Sequence, residues 1–309
     1  MSEAASEKLD LSRLPPFRLV DVDYEAIVAS RLASLQARFA AAGIDYDVGM
    51  LETDPAVILQ QEDAFRQTLD LQALNDAGKR LTVAYGYGPA LDHIAATYFA
   101  DIGVRRMSVV DDPRPYSEHP EDWEDDDRFR RRISLAPEAR SPYTPGAYVY
   151  AALTTSPLIA DAVALNWSTG LVDRGDVCVV ILGKAGADEA ALAEMVGEAL
   201  RSRPIVALTD NVFVATAPRV DAEINVKLLV RRGPDPAVVR EEAIRQINIY
   251  RASRYRIGAP LALSGIDSAA HVGGVEIVQR TAPMADISTA PNKVINVTGV
   301  TVTTEALYA

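Results

Sequence analysis

The sequence predicts an α+β protein, an N-terminal helical bundle module followed by two small α+β domains. Three observations predict it. A stretch from Leu51 to Tyr98 carries helix start and stop signals and no proline between Pro55 and Pro89. After Asp101 the composition turns acidic and proline-rich. From Ala162 onward, short β-branched runs alternate with amphipathic helical ones. At 309 residues the chain exceeds one typical domain. The expected segments are an arm and helical core-bundle module over 1–100, an acidic loop with connecting helices over 101–155, and α+β domains over 156–220 and 221–309.

The arm, from Met1 to about Leu19, is polar and contains Pro15-Pro16, so it is expected to be disordered or docked on a neighbour. Tyr24 to Ala42 reads as an amphipathic helix ended by Gly43, with Ile27, Leu32, Leu35 and Phe39 on its buried side. The central helix begins at Asp54, whose carboxylate can accept first-turn amides, and Pro55, whose missing N–H costs nothing there. Gly78 is its one interior glycine, and Gly86-Tyr87-Gly88-Pro89 is a stop-and-turn signal. A helix of roughly 30 residues would be about 45 Å long.

Its apolar residues do not form one stripe. Phe65, Leu69, Ala73, Ala77, Leu81 and Tyr85 recur every four residues, while Leu59, Leu71 and Leu74 lie off that row. One flat partner needs only one stripe of about 100°. The pattern fits either a long helix buried within one compact domain or a helix inserted into a bundle whose other members come partly from other chains. On the second reading Leu59, Phe65, Leu69, Leu74, Leu81 and Tyr85 are the contact residues. A third helix carries Leu91, Ile94, Ala95 and Tyr98.

The run from Asp101 to Asp126 reads as a surface excursion, and Glu121 to Asp127 as a solvated charge run. Asp127 to Leu135 reads as a short helix whose acids lead and arginines follow, as the helix dipole prefers. Arg128, Arg130, Arg131 and Arg132 adjoin the acidic run and are read as ion-pairing groups at a protein interface. Another helix runs from Ala147 to about Thr155. Strands are expected at Ala162–Trp167, Asp176–Leu182, Asn211–Thr216, Ala222–Val230, Val275–Val278 and Val294–Thr303. Helices are expected over Asp188–Arg201, from Gly233-Pro234-Asp235-Pro236 to about Arg254, and near Ser264–Ala270.

Hydrophobic residues at 49% and charged residues at 24% supply an ordinary globular core. The net charge of −12 argues against nucleic acid and anionic membrane as partners, since both select clustered Lys and Arg. The polar N-terminus, MSEAASEKLD, is not a signal peptide, and no apolar run approaches a membrane span. Cys178, the one cysteine, excludes an intramolecular disulfide and fits a reducing cytoplasm.

Chemistry finds no anchor. His93, His119 and His271 lack second ligands at metal spacing. Cys178 sits in a strand interior, where a thiolate is disfavoured. The acidic run lacks the alternating ligands and central glycine of a calcium loop. Gly86-Tyr87-Gly88 follows a helix, whereas a dinucleotide turn must follow a strand. No catalytic, cofactor-binding or metal residues are assigned.

Three blocks of residues resemble the baseplate J-like family of contractile phage tails and related injection machines. The first is Glu52-Thr53-Asp54-Pro55-Ala56 with Arg66, Leu69, Asn75-Asp76-Ala77, Ala84-Tyr85 and Leu91-Asp92-His93. The second is Asp127 to Ile133 with Ala136-Pro137-Glu138 and Pro145-Gly146-Ala147-Tyr148. The third comprises Arg203-Pro204, Leu208-Thr209-Asp210, Gly233 to Pro236, Ala270 to Val275 and Ala282-Pro283. The acidic stretch around Glu118–Asp127 departs from the family's pattern.

The resemblance implies a structural wedge protein that assembles around a central hub and rearranges on sheath contraction, with residues 101–126 absorbing part of the change. Its implied partners are other wedge proteins, hub proteins and a second copy of itself. The helices enter a core bundle and the C-terminal domain joins neighbouring wedges. The implied location is the virion baseplate, after assembly in the bacterial cytoplasm. Two other classes make different demands. A fibre-connecting or receptor-binding tail protein would need repetitive β-rich sequence toward its C-terminus, and a cytoplasmic α+β enzyme would need converging titratable groups.

Overall fold

The computed structural model describes residues 11, 14–15, 17–46, 53–141, 143–202, 206, 210–231, 233 and 235–307. The first ten residues of the arm, Pro16, Leu51, Glu52, Arg203-Pro204, Leu208-Thr209 and Pro234 lie outside that set. The chain is a mixed helix-and-sheet protein that divides into two compact units, 10–105 and 106–309 among the residues described.

In the smaller unit, α1 (Tyr24–Ala41) and α2 (Pro55–Arg80) pack together, and α3 (Pro89–Tyr98) follows. Asp23 caps α1 by accepting from the Ala26 N–H at 3.1 Å. Asp54 caps α2 by accepting from Ala56 and Val57, with Pro55 in the first turn, as the start signal predicts. A fork from Arg31 to Gln60, Asp63 and Gln67 ties α1 to α2. Of α1's expected buried side, Ile27, Leu32, Leu35 and Phe39 are only half-buried, and Val28 is its one buried residue.

The central helix is shorter than its apolar row. It ends at Arg80, Leu81 is its C-cap, and 81–85 form turns in which the Thr82 hydroxyl donates to the Lys79 carbonyl at 2.8 Å. Tyr85 therefore leaves the helical row. Gly86 marks the end of these turns rather than of the helix, and a Cβ there would meet the Thr82 carbonyl oxygen at 2.8 Å.

The described part of the arm docks on its own α2, which corrects the expectation of disorder or a neighbouring chain. Asn75 accepts from the Leu19 and Val20 N–H groups at 2.8 and 3.0 Å and donates to the Val20 carbonyl at 2.8 Å. Gly78 gives the arm its room, since a Cβ there would lie 2.7 Å from Leu19 Cδ1. The Tyr85 hydroxyl donates to the Leu14 carbonyl at 2.6 Å. Asn75→Ala removes three hydrogen bonds at once and is expected to cost about 1–3 kcal/mol. Amide exchange at Leu19 and Val20 should accelerate more than at Val57 in the variant; equal protection of all three would refute the clamp.

The larger unit holds two three-stranded sheets. After α4 (Asp126–Leu135) and α5 (Pro145–Thr155), the first sheet is built from β1 (Ile159–Leu165), β2 (Asp176–Gly183) and β3 (Asn211–Thr216). β1 pairs antiparallel with β2, and β3 parallel to it across α6 (Glu189–Ser202). A parallel neighbour demands such a crossover. Cys178 through Gly183 are buried in succession, matching a strand covered on both faces. β1 begins three residues before its expected start, at Ile159, and Trp167 falls beyond it in a one-turn 3-10 helix.

The second sheet has order β5-β4-β6, with β4 (Arg219–Val230) central, β5 (Val275–Ala282) antiparallel and β6 (Val294–Ala306) parallel to it. Ile224, Val226, Leu228 and Val230 alternate inward as predicted, onto Val239, Ala243 and Ile247 of α7 (Pro236–Arg254) and Ile266 of α8 (Leu263–Ala270). β6 opens against the first sheet, because Val294 packs with Val163, Leu165 and Val180.

Candidate assembly interface

The side of α2 that the chain keeps for itself is narrow and made of small groups. Val57, Ala64, Thr68, Asn75 and Gly78 are buried, and the Thr68 hydroxyl is satisfied by the Ala64 carbonyl at 2.9 Å. The bulky apolar residues point elsewhere. Leu59 is 64% exposed, Phe65 52%, Leu69 47%, Leu74 48% and Leu81 77%. Ala73 and Ala77 on the same row are exposed too. Tyr85 is half-buried in the turn and engaged by the arm. Scattered surface leucines need no explanation, but here the row Phe65, Leu69, Ala73, Ala77 and Leu81, with Leu59 and Leu74 beside it, leaves a broad apolar side exposed on one helix and its C-cap. Full burial of such a side chain contributes roughly 1.5–3 kcal/mol. Several together compete with the ~4–15 kcal/mol lost on association.

The arginines of α4 behave differently from their expected role. Arg128 and Arg132 are 6% and 2% exposed, and both pair with Glu124, which is fully buried. Arg128 also donates to the carbonyls of Leu153, Ser156 (2.7 Å) and Ile159 (2.9 Å), so it caps the end of α5 and the start of β1. Burial pulls its guanidinium below the ordinary value, and the Glu124 carboxylate works the other way. Arg131 pairs with Asp161, itself 4% exposed, and donates to the Ala162 carbonyl at 3.1 Å. Arg130 pairs with exposed Asp127.

These ion pairs are thus made within the chain. Arg128, Arg131 and Arg132 brace the fold, because α4 packs on α5 while its guanidinium groups reach Glu124 and the β1 residues Ile159, Asp161 and Ala162. Asp161 extends the brace. Its second oxygen accepts the Ile257 N–H at 2.8 Å, which joins the first sheet to the segment after α7.

The acidic excursion is only in part a solvated run: Glu121, Asp125 and Asp127 are exposed, while Asp122 and Glu124 are buried. Ser108 bridges Trp123, and Val109 N–H and Glu124 N–H close the two ends on Asp122 and Met107 carbonyls. Arg106, 7% exposed, lies over the Tyr116 and Phe129 rings and pairs with Asp126 at 2.8 Å. Arg114 grips Asp122 with Nε and Nη2 at 2.8 and 2.9 Å, and Trp123 Nε1 donates to the Arg114 carbonyl. Glu124 and Asp122 are buried, and Asp125 is the N-cap of α4. The strap 107–124 is therefore cross-braced, which leaves little slack for it to absorb a movement.

Arg114 holds the Asp122 carboxyl down at about 2, against an ordinary 3.8, chiefly through that side-chain hydrogen bond. A depressed carboxyl contributes stability above its unfolded value and loses it as pH falls through the folded one. Strap order should thus persist at pH 5 and fade between about pH 4 and 2. In Arg114→Ala the Asp122 midpoint, read by carboxyl NMR, should move up toward its ordinary value; an unchanged midpoint would refute Arg114 as the cause.

Among the described residues, no group of three or more His, Cys, Asp or Glu is arranged to hold a metal ion. Burial pushes the Cys178 thiol up to about 11, which suits packing rather than reactivity. No helix among the described residues is long and apolar enough to cross a membrane. The sequence reading did not find the buried Glu124 hub. Its one visible signal was the four-residue spacing of Glu124, Arg128 and Arg132, which does not reveal burial.

Comparison with known proteins adds two findings. The family model described as the Baseplate J-like N-terminal domain matches residues 52–111, which include α2 and α3. Over 284 residues the chain is 30% identical to "Baseplate protein J" of Escherichia phage P2, covering 90% of this chain and 92% of that protein.

Proposed function

This chain belongs to the baseplate J-like family, and on that premise we propose that it is a structural protein of a contractile-tail baseplate. The observation that carries the reading is the set of large apolar residues Leu59, Phe65, Leu69, Leu74 and Leu81, left exposed along α2 and its C-cap. In this proposal α2 enters a core bundle with helices of other wedge proteins and of a second copy of the chain, around the central hub. The 221–309 region joins neighbouring wedges. It presents β5 and β6 as sheet edges, a common route to pairing between chains. The chain works in the virion baseplate, having been assembled in the bacterial cytoplasm, and no reaction is assigned to it.

Sheath contraction would then shift wedge contacts between discrete arrangements, since packed interfaces are bistable rather than continuously deformable. The braced strap 107–124 is expected to move with the larger unit as one piece rather than to unfold. Cryo-electron microscopy of intact particles tests the proposal. Copies of this chain should ring the hub with α2 inside a multi-chain bundle. A baseplate without the chain, or one with α2 facing solvent, would refute it.

A further inference from the structure

Away from α2, the larger unit contains a cavity of about 270 Å³ where three strand ends meet the start of α5. Leu165 ends β1 and Trp167 follows it, Asp176 opens β2, Asp210 precedes β3, Tyr143 precedes α5 and Tyr148 lies in its first turn. The volume falls short of the ~300–1,000 Å³ of small-molecule sites and suits a single side chain.

Its chemistry is one-sided. Asp176 and Asp210 are carboxylates, and no Lys or Arg lines the cavity. One Asp176 oxygen accepts from Asn211 at 3.2 Å, which aligns the carboxylate. The walls include two large exposed aromatic side chains, Trp167 and Tyr143, at 55% and 58%. Tyr143 also has φ +72°, a left-handed backbone that a bulky residue rarely adopts. Such strain concentrates where a side chain is held in place for a contact. The chain's own Arg174 guanidinium already lies 5.1 Å from the centre of the Trp167 ring, so this indole takes a planar cation, and an incoming guanidinium must share the ring or displace Arg174.

From this geometry we propose that the cavity receives an arginine side chain of a neighbouring protein. The guanidinium would lie against the Trp167 and Tyr143 rings and pair with the Asp176 carboxylate. Arginine is favoured over lysine because its planar fork both stacks on rings and matches a carboxylate. The acidic balance of the chain, −12 overall, attracts a basic partner surface. The inference does not depend on the baseplate reading, since it concerns a different surface and a probe that needs no particle.

The test uses the full-length, isotope-labelled chain and Nα-acetyl-arginine amide. The Trp167 indole N–H and the Gly175 and Asp176 amides should shift saturably. The neutral, isosteric citrulline analogue should bind at least tenfold more weakly, and the lysine analogue measurably more weakly. Asp176→Asn should weaken arginine binding at least tenfold. Trp167→Leu, at an exposed position, should do the same and serves if Asp176→Asn disturbs β2. Citrulline or lysine binding as tightly as arginine would overturn the proposal. So would shifts that survive Trp167→Leu, or no saturable shift at these residues.

Discussion

Leu69→Asp is expected to leave the isolated chain folded and to exclude it from assembled particles. The residue sits mid-helix in α2 and is 47% exposed, on the side away from Ala64 and Thr68. In the free chain the new carboxylate stays in water, so the change should cost less than about 1 kcal/mol, mostly helix propensity. Inside a bundle the same carboxylate would be buried without a partner, a penalty of several kcal/mol. That difference is the prediction. Thermal melts should nearly superimpose on the parent, while particle production falls by two orders of magnitude or more. Leu81→Asp should act in the same direction from the end of the helix. Normal yields of intact particles carrying Leu69→Asp would show that α2 does not meet other chains. A large loss of stability in the free chain would show that the row is part of its own core.

Glu124→Ala is expected to be among the most damaging single substitutions for folding. Glu124 is fully buried between Arg128 and Arg132, and its Oε1 also accepts the Met107 N–H at 2.9 Å. Its removal leaves two guanidinium groups facing each other without their counter-charge. Breaking a buried pair in this way costs about 3–5 kcal/mol. Arg128 would keep its carbonyls on α5 and β1, so the damage should centre on the strap and α4. Urea denaturation measures the loss, and hydrogen exchange should find strap amides such as Val109 deprotected first. The exposed pair Glu62–Arg66 supplies the control, since Glu62→Ala should change stability by less than about 1 kcal/mol. Equal small effects at the two sites would mean that the hub contributes nothing as a network.

The two substitutions probe opposite kinds of legibility. That α2 carries more apolar sides than one flat partner can cover was legible from its spacing; which of them stay exposed was not. A cylinder with apolar residues on several sides cannot be covered by one flat partner such as α1, and the arm covers only the part around Asn75 and Gly78. Tyr85 escaped that reading because the row was extended past Arg80, where local turns take over from the helix. The arginines of α4 could be read as ion-pairing groups from their acidic neighbours. Which carboxylate they meet could not be read, because Asp161 lies 30 positions beyond Arg131. Nor could an acid-rich run disclose that Glu124 and Asp122 turn inward while Asp111 and Asp112 stay out. The arginine-sized cavity had no signal at all, since Tyr143, Trp167, Asp176 and Asp210 come from four separate parts of the chain.

By itself, the sequence determined the helix and strand types, the alternation that buries β4, and the absence of a recognisable catalytic motif. These follow from local rules, in which backbone propensity, capping and periodicity act within a few residues. Only the tertiary structure decided who pairs with whom. It brought the arm back onto Asn75, drew Glu124 between two arginines, and left the large side chains of α2 in solvent. Each depends on the distance between residues far apart in the chain, and desolvation sets its energy only once that distance is known.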